Sequence, residues 1–196
     1  WETSIAPSTG KRVAVVGSGP AGLTAAYYLG KLCGHDVTVF EALHEVGGQF
    51  RTGIPSYRLP RKVIDEQIAV VTETRVEVKT NHRVKSLDEL FQQGFDAVFI
   101  GAGAAKPQKL GIEGQELPGV MECVDFLQEV NLEGRTEVGE RVAIIGGGNV
   151  AMDGSRSALR LGAREVTLVY RRTRQEMPAY AFEVLAAEAE GLKLQF

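Results

Sequence analysis

Apolar and polar positions follow two recurring rhythms along this chain. Val13 to Val16 form a short apolar run that stops at glycine, the pattern of a strand buried in a parallel sheet. From Pro20 to Leu32 the segment is rich in Ala and Leu and reads as a helix, with Pro20 tolerated in its opening turn. Gly34-His35 turns the chain into a second strand, "DVTVFE", so the segment is a βαβ unit with a right-handed crossover. Residues 42 to 60, "ALHEVGGQFRTGIPSYRLP", lose the rhythm and read as an irregular loop of a length that is usually functional. The pattern then predicts a helix from about Arg61 to Thr72, a strand in "RVEVK", a short helix opened by Ser86 with Asp88 and Glu89, and a buried strand in "DAVFIGAG".

Residues 106 to 119, "KPQKLGIEGQELPG", concentrate Gly, Pro and charge and mark a junction, dividing the chain into 1–106 and 107–196. Helical spacing resumes in "CVDFLQEVN", a second βαβ unit spans Arg141 to Tyr170, a helix follows over Ala181–Glu190, and "LKLQF" reads as a strand at which the pattern breaks off in mid-fold. The two βαβ units are copies. At a constant offset of 129 residues Gly17 falls on Gly146, Gly19 on Gly148, Gly22 on Ala151 and Val37-Thr38 on Val166-Thr167, without a gap. Each copy carries G-x-G-x-x-G/A between an apolar strand and a helix. In that motif the first glycine makes the turn, the second lets a pyrophosphate approach the backbone, and the third lets helix and strand pack closely. The helix start, Pro20-Ala21 in the first copy, then brings unpaired N–H groups to an anion from Ala21 onward, Pro20 itself having none. The expected fold is therefore α/β, with two Rossmann-like nucleotide-binding units built on parallel sheets.

The copies differ where their second strands end. Glu41, 19 residues beyond Gly22, can accept hydrogen bonds from ribose hydroxyls and would repel a 2′-phosphate. At the matching place the second copy has Tyr170, then Arg171, Arg172 and Arg174, and guanidinium groups grip phosphate through paired donors. The first cradle suits an unphosphorylated adenosine ribose and the second suits NADPH. The plain alternatives are a surface acid and a solvated basic strand end.

Composition adds mainly exclusions. Hydrophobic residues at 44% and charged ones at 24% are those of a globular protein with an ordinary core, and a net charge of −3 offers no general attraction for nucleic acid. Cys33 and Cys123 are far apart and form no CxxC, which argues against cysteine-held metal or a redox dithiol. Two free thiols fit a reducing compartment, and the same count allows one disulfide. Neither a signal-peptide core nor a membrane-length apolar run is present in the sequence, so the expected address is the cytoplasm. His35, His44 and His82 belong to no nucleophile constellation and read as surface residues, and Arg156 with Arg160 reads as a solvated helix face.

At this point the chain resembles a known family, the flavin-containing small subunit of NADPH-dependent glutamate synthase and its relatives, which include the flavin portion of dihydropyrimidine dehydrogenase and NADPH-ferredoxin oxidoreductase subunits. The resemblance rests on "VAVVGSGPAGL", "HDVTVFEALHEVGG", "GIPSYRLPRKVID", "FDAVFIGAGA" and "VAIIGGGNVAMDGSRSALRLGAREVTLVYRRTRQEMPA", in family order over most of the chain. Three departures stand out. No cysteine-rich iron–sulfur segment precedes the first cradle, the later Gly-Asp motif of the FAD domain is absent, and Thr52 replaces a bulkier residue before "GIP". The resemblance implies a disulfide-oxidoreductase-like arrangement whose C-terminal part is missing: the first part of an FAD-binding domain (1–106) joined to the first part of an NADPH-binding domain (107–196).

The resemblance also implies roles for residues. Gly48 follows the acid in a loop near the flavin's diphosphate, and Arg58 of "YRLP" and Val84 join the FAD-contacting set. Gly101 and Gly103 mark the strand end that approaches the flavin. Asn149, Val150 and Ala151 would contact the NADPH diphosphate, and Arg171 and Arg172 its 2′-phosphate. The activity implied is hydride transfer from NADPH to FAD, with electrons passed to an iron–sulfur-containing domain or subunit such as the glutamate synthase large subunit or ferredoxin. No side chain is needed as acid or base, so no catalytic residue is assigned, nor any metal ligand. The rival reading is a non-catalytic nucleotide-binding or assembly module of a larger redox complex.

Overall fold

The first βαβ unit forms where the apolar runs predict it. In the computed structural model, which describes residues 4–104, 106, 109–134 and 137–196, strand β1 (Arg12–Val16) leads into helix α1 (Pro20–Tyr27). The last turn of that helix widens to π-helical spacing over Tyr28–Leu32, and β2 (Asp36–Phe40) follows. Then come a single turn of helix, α2 (Gln49–Thr52), the longer α3 (Arg61–Thr72), β3 (Val76–Lys79), α4 (Leu87–Gln92) and β4 (Ala97–Ile100). The α4 helix starts as its sequence predicts, with the Ser86 side chain accepting the Asp88 N–H.

The four strands make one parallel sheet in the order β3-β2-β1-β4, with Val13 opposite both Val37 and Ala97. Successive side chains point to opposite faces. Val13, Val15, Val37 and Val39 thus pack with Ala26 of α1 and Val71 of α3, while Ala14 and Phe40 pack with Leu90 and Phe95. The expectation of a buried strand in "DAVFIGAG" is not met, because β4 lies at the sheet edge with β1 as its partner among the described residues. Ile100 is 61% exposed there.

The second copy repeats the plan on a smaller sheet. Helix α5 (Cys123–Gln128) runs through a π-helical turn to Glu133 and stops at Gly134, whose φ of 69° is a left-handed cap. Strands β5 (Arg141–Ile145), β6 (Glu165–Val169) and β7 (Lys193–Gln195) pair in parallel in that order. Helix α6 (Asn149–Arg160) joins the first two, and a 3-10 turn at Arg174–Glu176 and helix α7 (Ala181–Ala189) join the last two. Val166, Leu168, Met152, Ala158, Val184, Ala187 and Phe126 form one buried cluster.

The chain folds as two compact units, Trp1–Arg51 with Ser56–Ala105, and Thr52–Pro55 with Lys106–Phe196. Of the stretch expected to be a junction, Pro107 and Gln108 lie outside the described residues. No helix among the described residues is long and apolar enough to cross a membrane.

Arg156 corrects the sequence reading. Its side chain is 11% exposed and bridges α6 to α7, donating to Glu183 Oε2 at 3.0 Å and to Glu190 Oε1 at 2.8 Å. Arg160, one turn on, does lie at the surface but also binds Glu190. The face looks solvated in sequence because the carboxylates that neutralise it sit on another helix, 27 and 34 residues away.

Candidate functional site

In the first unit three backbone segments converge at the end of β1. Gly17 turns out of the strand with φ +97°, its N–H bonded to Phe40 O at 2.8 Å. A Cβ on Gly17 would lie 2.5 Å from Gly101 O, one on Gly22 would lie 1.9 Å from Gly17 O, and one on Gly48 (φ +53°) would lie 2.6 Å from Gly19 Cα. Close backbone approach therefore accounts for glycine at Gly17, Gly22 and Gly48.

It does not account for Gly19. Its φ of −70° suits any residue, and a Cβ there would meet only Gly48 Cα, at 3.9 Å. The second cradle repeats the exception at Gly148, with φ −94° and only Pro178 Cγ at 4.0 Å. Both residues cap helices that have no side-chain cap, so α1 and α6 begin with unpaired N–H donors beside space that a side chain would fill. This is the geometry a diphosphate requires, and the residues present fit a dinucleotide at each turn.

Glu41 stands at the end of β2, 7% exposed and fixed. Its Oε2 accepts the Ser18 N–H at 3.0 Å and the Ser18 hydroxyl at 2.5 Å, and its Oε1 accepts the Leu43 N–H at 2.8 Å. One lone pair remains, on Oε1. Ser18 Oγ also accepts the Gly47 N–H at 3.2 Å, tying the Gly47-Gly48 loop to the cradle. Ser18 carries no sequence signal, since the second position of the motif takes any residue. Arg51 was equally hidden. It is 8% exposed, donates to Val46 O at 3.0 Å and pairs with Asp65 and Glu45, and so braces the same loop against α3.

The remaining residues of the first set are spread more widely. Pro20 and Ala21 form the first turn of α1. Gly101 joins the cradle, its N–H bonded to Val16 O at 2.8 Å, and Gly103 follows in the left-handed region with open space about it. Arg58 is half-buried in the turns between α2 and α3. Val84 packs against the Ala14, Phe40, Leu90 and Phe95 cluster, so its side chain belongs to the core of that sheet face.

In the second unit the loop after β6 folds back over the cradle. Gly146 (φ +136°) bonds Val169 O at 3.0 Å, Ala179 N–H donates to Gly147 O at 3.0 Å, and Tyr180 N–H donates to Asn149 Oδ1 at 3.0 Å. With its carbonyl end taken, Asn149 keeps its NH2 end, two donors, for an anion. Val150 is 47% exposed on the first turn of α6, whereas Ala151 is buried. Tyr170 lies across Gly147, where a Cβ would come 2.7 Å from the ring, and its hydroxyl donates to Glu176 O at 3.0 Å. Thr173 and Glu176 form a reciprocal cap, and the Thr173 N–H and hydroxyl hold the Glu176 carboxyl below its ordinary range.

The basic residues after β6 divide into two kinds. Arg174 is engaged by Glu188 through two parallel hydrogen bonds, one of them at 2.6 Å. Arg171 and Arg172 are exposed, and among the described residues no carboxylate pairs with either. Cys123 lies close to Gly154, where a Cβ would fall 2.3 Å from its sulfur. Burial, helped by the Asp153 charge, pushes its thiol up to about 12.

Known proteins share this arrangement. The family description that matches residues 11–195 is pyridine nucleotide-disulphide oxidoreductase. The chain is 47% identical over 201 residues to the NADP(+)-dependent formate dehydrogenase subunit beta of Moorella thermoacetica, covering all of this chain and 28% of that protein. It is 36% identical over 202 residues to the glutamate synthase [NADPH] small chain of Escherichia coli (strain K12), covering 96% of this chain and 42% of that one. Among solved structures, Mycobacterium tuberculosis FprA in complex with NADPH superposes with a TM-score of 0.78 at 27% identity, over 93% of this chain and 48% of FprA. With two glycine cradles on parallel sheets and a match over nearly its whole length, the chain belongs to the pyridine nucleotide-disulphide oxidoreductase family.

Proposed function

We propose that this chain holds FAD in the first cradle and NADPH in the second, as the FAD-binding part (1–106) and NADPH-binding part (107–196) of an NADPH-dependent flavin oxidoreductase. The observation that carries this is the pair Gly19 and Gly148, glycines that neither backbone angle nor protein packing explains and that a diphosphate would. The unlike strand ends assign the occupants. Glu41 offers a fixed acceptor to a free ribose diol and repels a 2′-phosphate, while Arg171 and Arg172 are the guanidinium groups left for one.

When both are bound, NADPH supplies a hydride and FAD accepts it. The chain's own residues position and bind. Gly19, Gly48 and the N–H groups opening α1 take one diphosphate, and Glu41 takes its ribose. Gly148, the Asn149 amide and the N–H groups opening α6 take the other. The names of the relatives, subunits of formate dehydrogenase and glutamate synthase, support delivery of the electrons to a partner subunit. We assign that partner an iron–sulfur centre, as a one-electron acceptor for the reduced flavin, in the cytoplasm.

The test is anaerobic titration of the FAD-loaded chain with NADPH and, separately, NADH. Bleaching of the flavin by NADPH at lower concentration than NADH is expected. FAD and NADPH binding with no bleaching would replace this reading with the non-catalytic module.

A further inference from the structure

We infer that Ser18 is a positioning residue for the first cradle, selecting through Glu41 the carboxylate oxygen that meets the adenosine ribose. This rests on the assignment of FAD to that cradle. Ser18 is fully buried, and its N–H and hydroxyl both go to Glu41 Oε2, at 3.0 and 2.5 Å. They fill that oxygen's two acceptor positions. The Leu43 N–H takes one position on Oε1 at 2.8 Å, which leaves Oε1 alone able to accept from a ribose hydroxyl. The backbone of Glu41 is pinned as well, its N–H to Lys79 O at 2.8 Å and its carbonyl to His82 N–H at 2.7 Å, so only the side chain is left for Ser18 to orient.

The second cradle shows that this motif position answers to the strand end. The counterpart of Ser18 is Gly147, and the counterpart of Glu41 is Tyr170. A Cβ at Gly147 would stand 2.7 to 2.9 Å from three atoms of the Tyr170 ring, so a serine cannot occupy that place while the tyrosine does. In each copy the residue inside the glycine motif and the residue ending the second strand form a matched pair, hydroxyl with carboxylate in one and bare backbone with ring in the other.

The experiment compares the chain's affinity for FAD with that for an FAD analogue whose adenosine lacks the 2′ and 3′ hydroxyls, by quenching of flavin fluorescence. Wild type is expected to prefer FAD by at least about tenfold, the lower end of the scale of a hydrogen bond to a charged group. Ser18→Ala is expected to bring the preference within about twofold of unity, as Glu41→Gln does, because the carboxylate is no longer held with Oε1 outward. Should Ser18→Ala not fold, Ser18→Cys, nearly the same volume with a weak donor, is expected to give the same narrowing. If the serine variants weaken both ligands by one common factor and leave the preference intact, Ser18 only supports the fold and the inference is overturned. A wild-type preference of unity overturns it too. Wild type that binds neither ligand instead defeats the assignment of FAD, and this inference with it.

Discussion

Alanine at Gly22 and alanine at Gly19, three residues apart in one motif, should have opposite consequences. A Cβ on Gly22 falls 1.9 Å from Gly17 O and 3.2 Å from a Val15 methyl, far inside the ~3.5 Å at which non-bonded atoms attract. The oxygen it meets belongs to the turn that Gly17 makes at φ +97°, and that turn is packed against Gly101, so neither partner can step aside cheaply. Overpacking of this kind typically costs 1–3 kcal/mol and occasionally more, and with backbone on both sides we expect about 3 kcal/mol or above for Gly22→Ala. Gly19→Ala adds a methyl where the nearest atom is 3.9 Å away, and its cost is the N-cap preference of glycine over alanine, about 1 kcal/mol or less.

Urea unfolding followed by far-UV circular dichroism reads the first effect, and flavin fluorescence quenching the second. Gly22→Ala should unfold at markedly lower urea. Gly19→Ala should unfold near the wild-type midpoint yet lose FAD binding, because its methyl occupies the approach to the α1 N–H groups. The third motif position of the second copy is already Ala151, where the turn before it differs, Gly146 standing at φ +136° against +97° for Gly17. A sequence comparison of the two copies would therefore call Gly22→Ala harmless. An unchanged midpoint for Gly22→Ala, or undiminished FAD affinity for Gly19→Ala, would refute the reasoning.

Further outcomes follow from the second unit. Replacing Arg171 and Arg172 together by alanine should weaken NADPH at least tenfold and leave NADH unchanged in an equilibrium titration, whereas Arg174→Ala, already engaged by Glu188, should shift the preference far less. Arg156→Met should destabilise by up to about 3–5 kcal/mol in urea unfolding, because Glu183, 4% exposed, loses the Arg156 guanidinium, and Arg156→Met with Glu183→Leu should recover part of that. Arg160, then Arg156, hold the Glu190 carboxyl below its ordinary 4.5 in the fold, so its contribution is present above that pH and disappears as pH falls below it. Thermal melts should decline below about pH 4.5 less steeply in Glu190→Gln than in wild type. In a native alkylation assay at pH 8, Cys33, which is exposed, should label and Cys123 should stay unmodified until the chain unfolds.

What could be read in the sequence was whatever depends on near neighbours. The strands, α3 and the Ser86 cap follow from runs, spacing and capping chemistry within a few residues. The motif glycines announced their turns for the same reason. What escaped depends on partners distant in the chain. Ser18 acquires its role only when β2 brings Glu41 beside it, and Arg156 only when α7 lays Glu183 and Glu190 over α6. The exposure of β4 escaped because an apolar run reads alike in the middle of a sheet and at its edge. The sequence marks Asn149 only as a candidate ligand contact, and its place in the motif does not advertise that its side chain accepts the Tyr180 N–H.

The two cradles solve one problem with different amounts of rigidity, and the difference suits the proposed occupants. In the first, backbone meets backbone: added Cβ atoms would stand 1.9 to 2.6 Å from peptide atoms at Gly17, Gly22 and Gly48, and a buried serine–glutamate pair locks the ribose end. Such a site has little freedom to rearrange, and rearrangement is what releasing a ligand requires. In the second, an added Cβ would meet side chains and not peptide atoms, the Ala151 methyl at 3.7 Å from Gly146, the Tyr170 ring at 2.7 Å from Gly147 and Pro178 Cγ at 4.0 Å from Gly148, and the loop over the site is held by single hydrogen bonds from Ala179 and Tyr180 to the cradle and from Tyr170 to Glu176. The arginines proposed for its phosphate, Arg171 and Arg172, lie on the surface, where their attraction is screened by solvent. A group that stays bound through many turnovers needs the former; a group that must arrive charged and leave spent in each turnover is served by the latter. The duplicated unit thus differs between its copies in how firmly the backbone closes on the site, as well as in the charge at the strand end, and both differences suit the proposed placing of the flavin in the first copy and the nicotinamide nucleotide in the second.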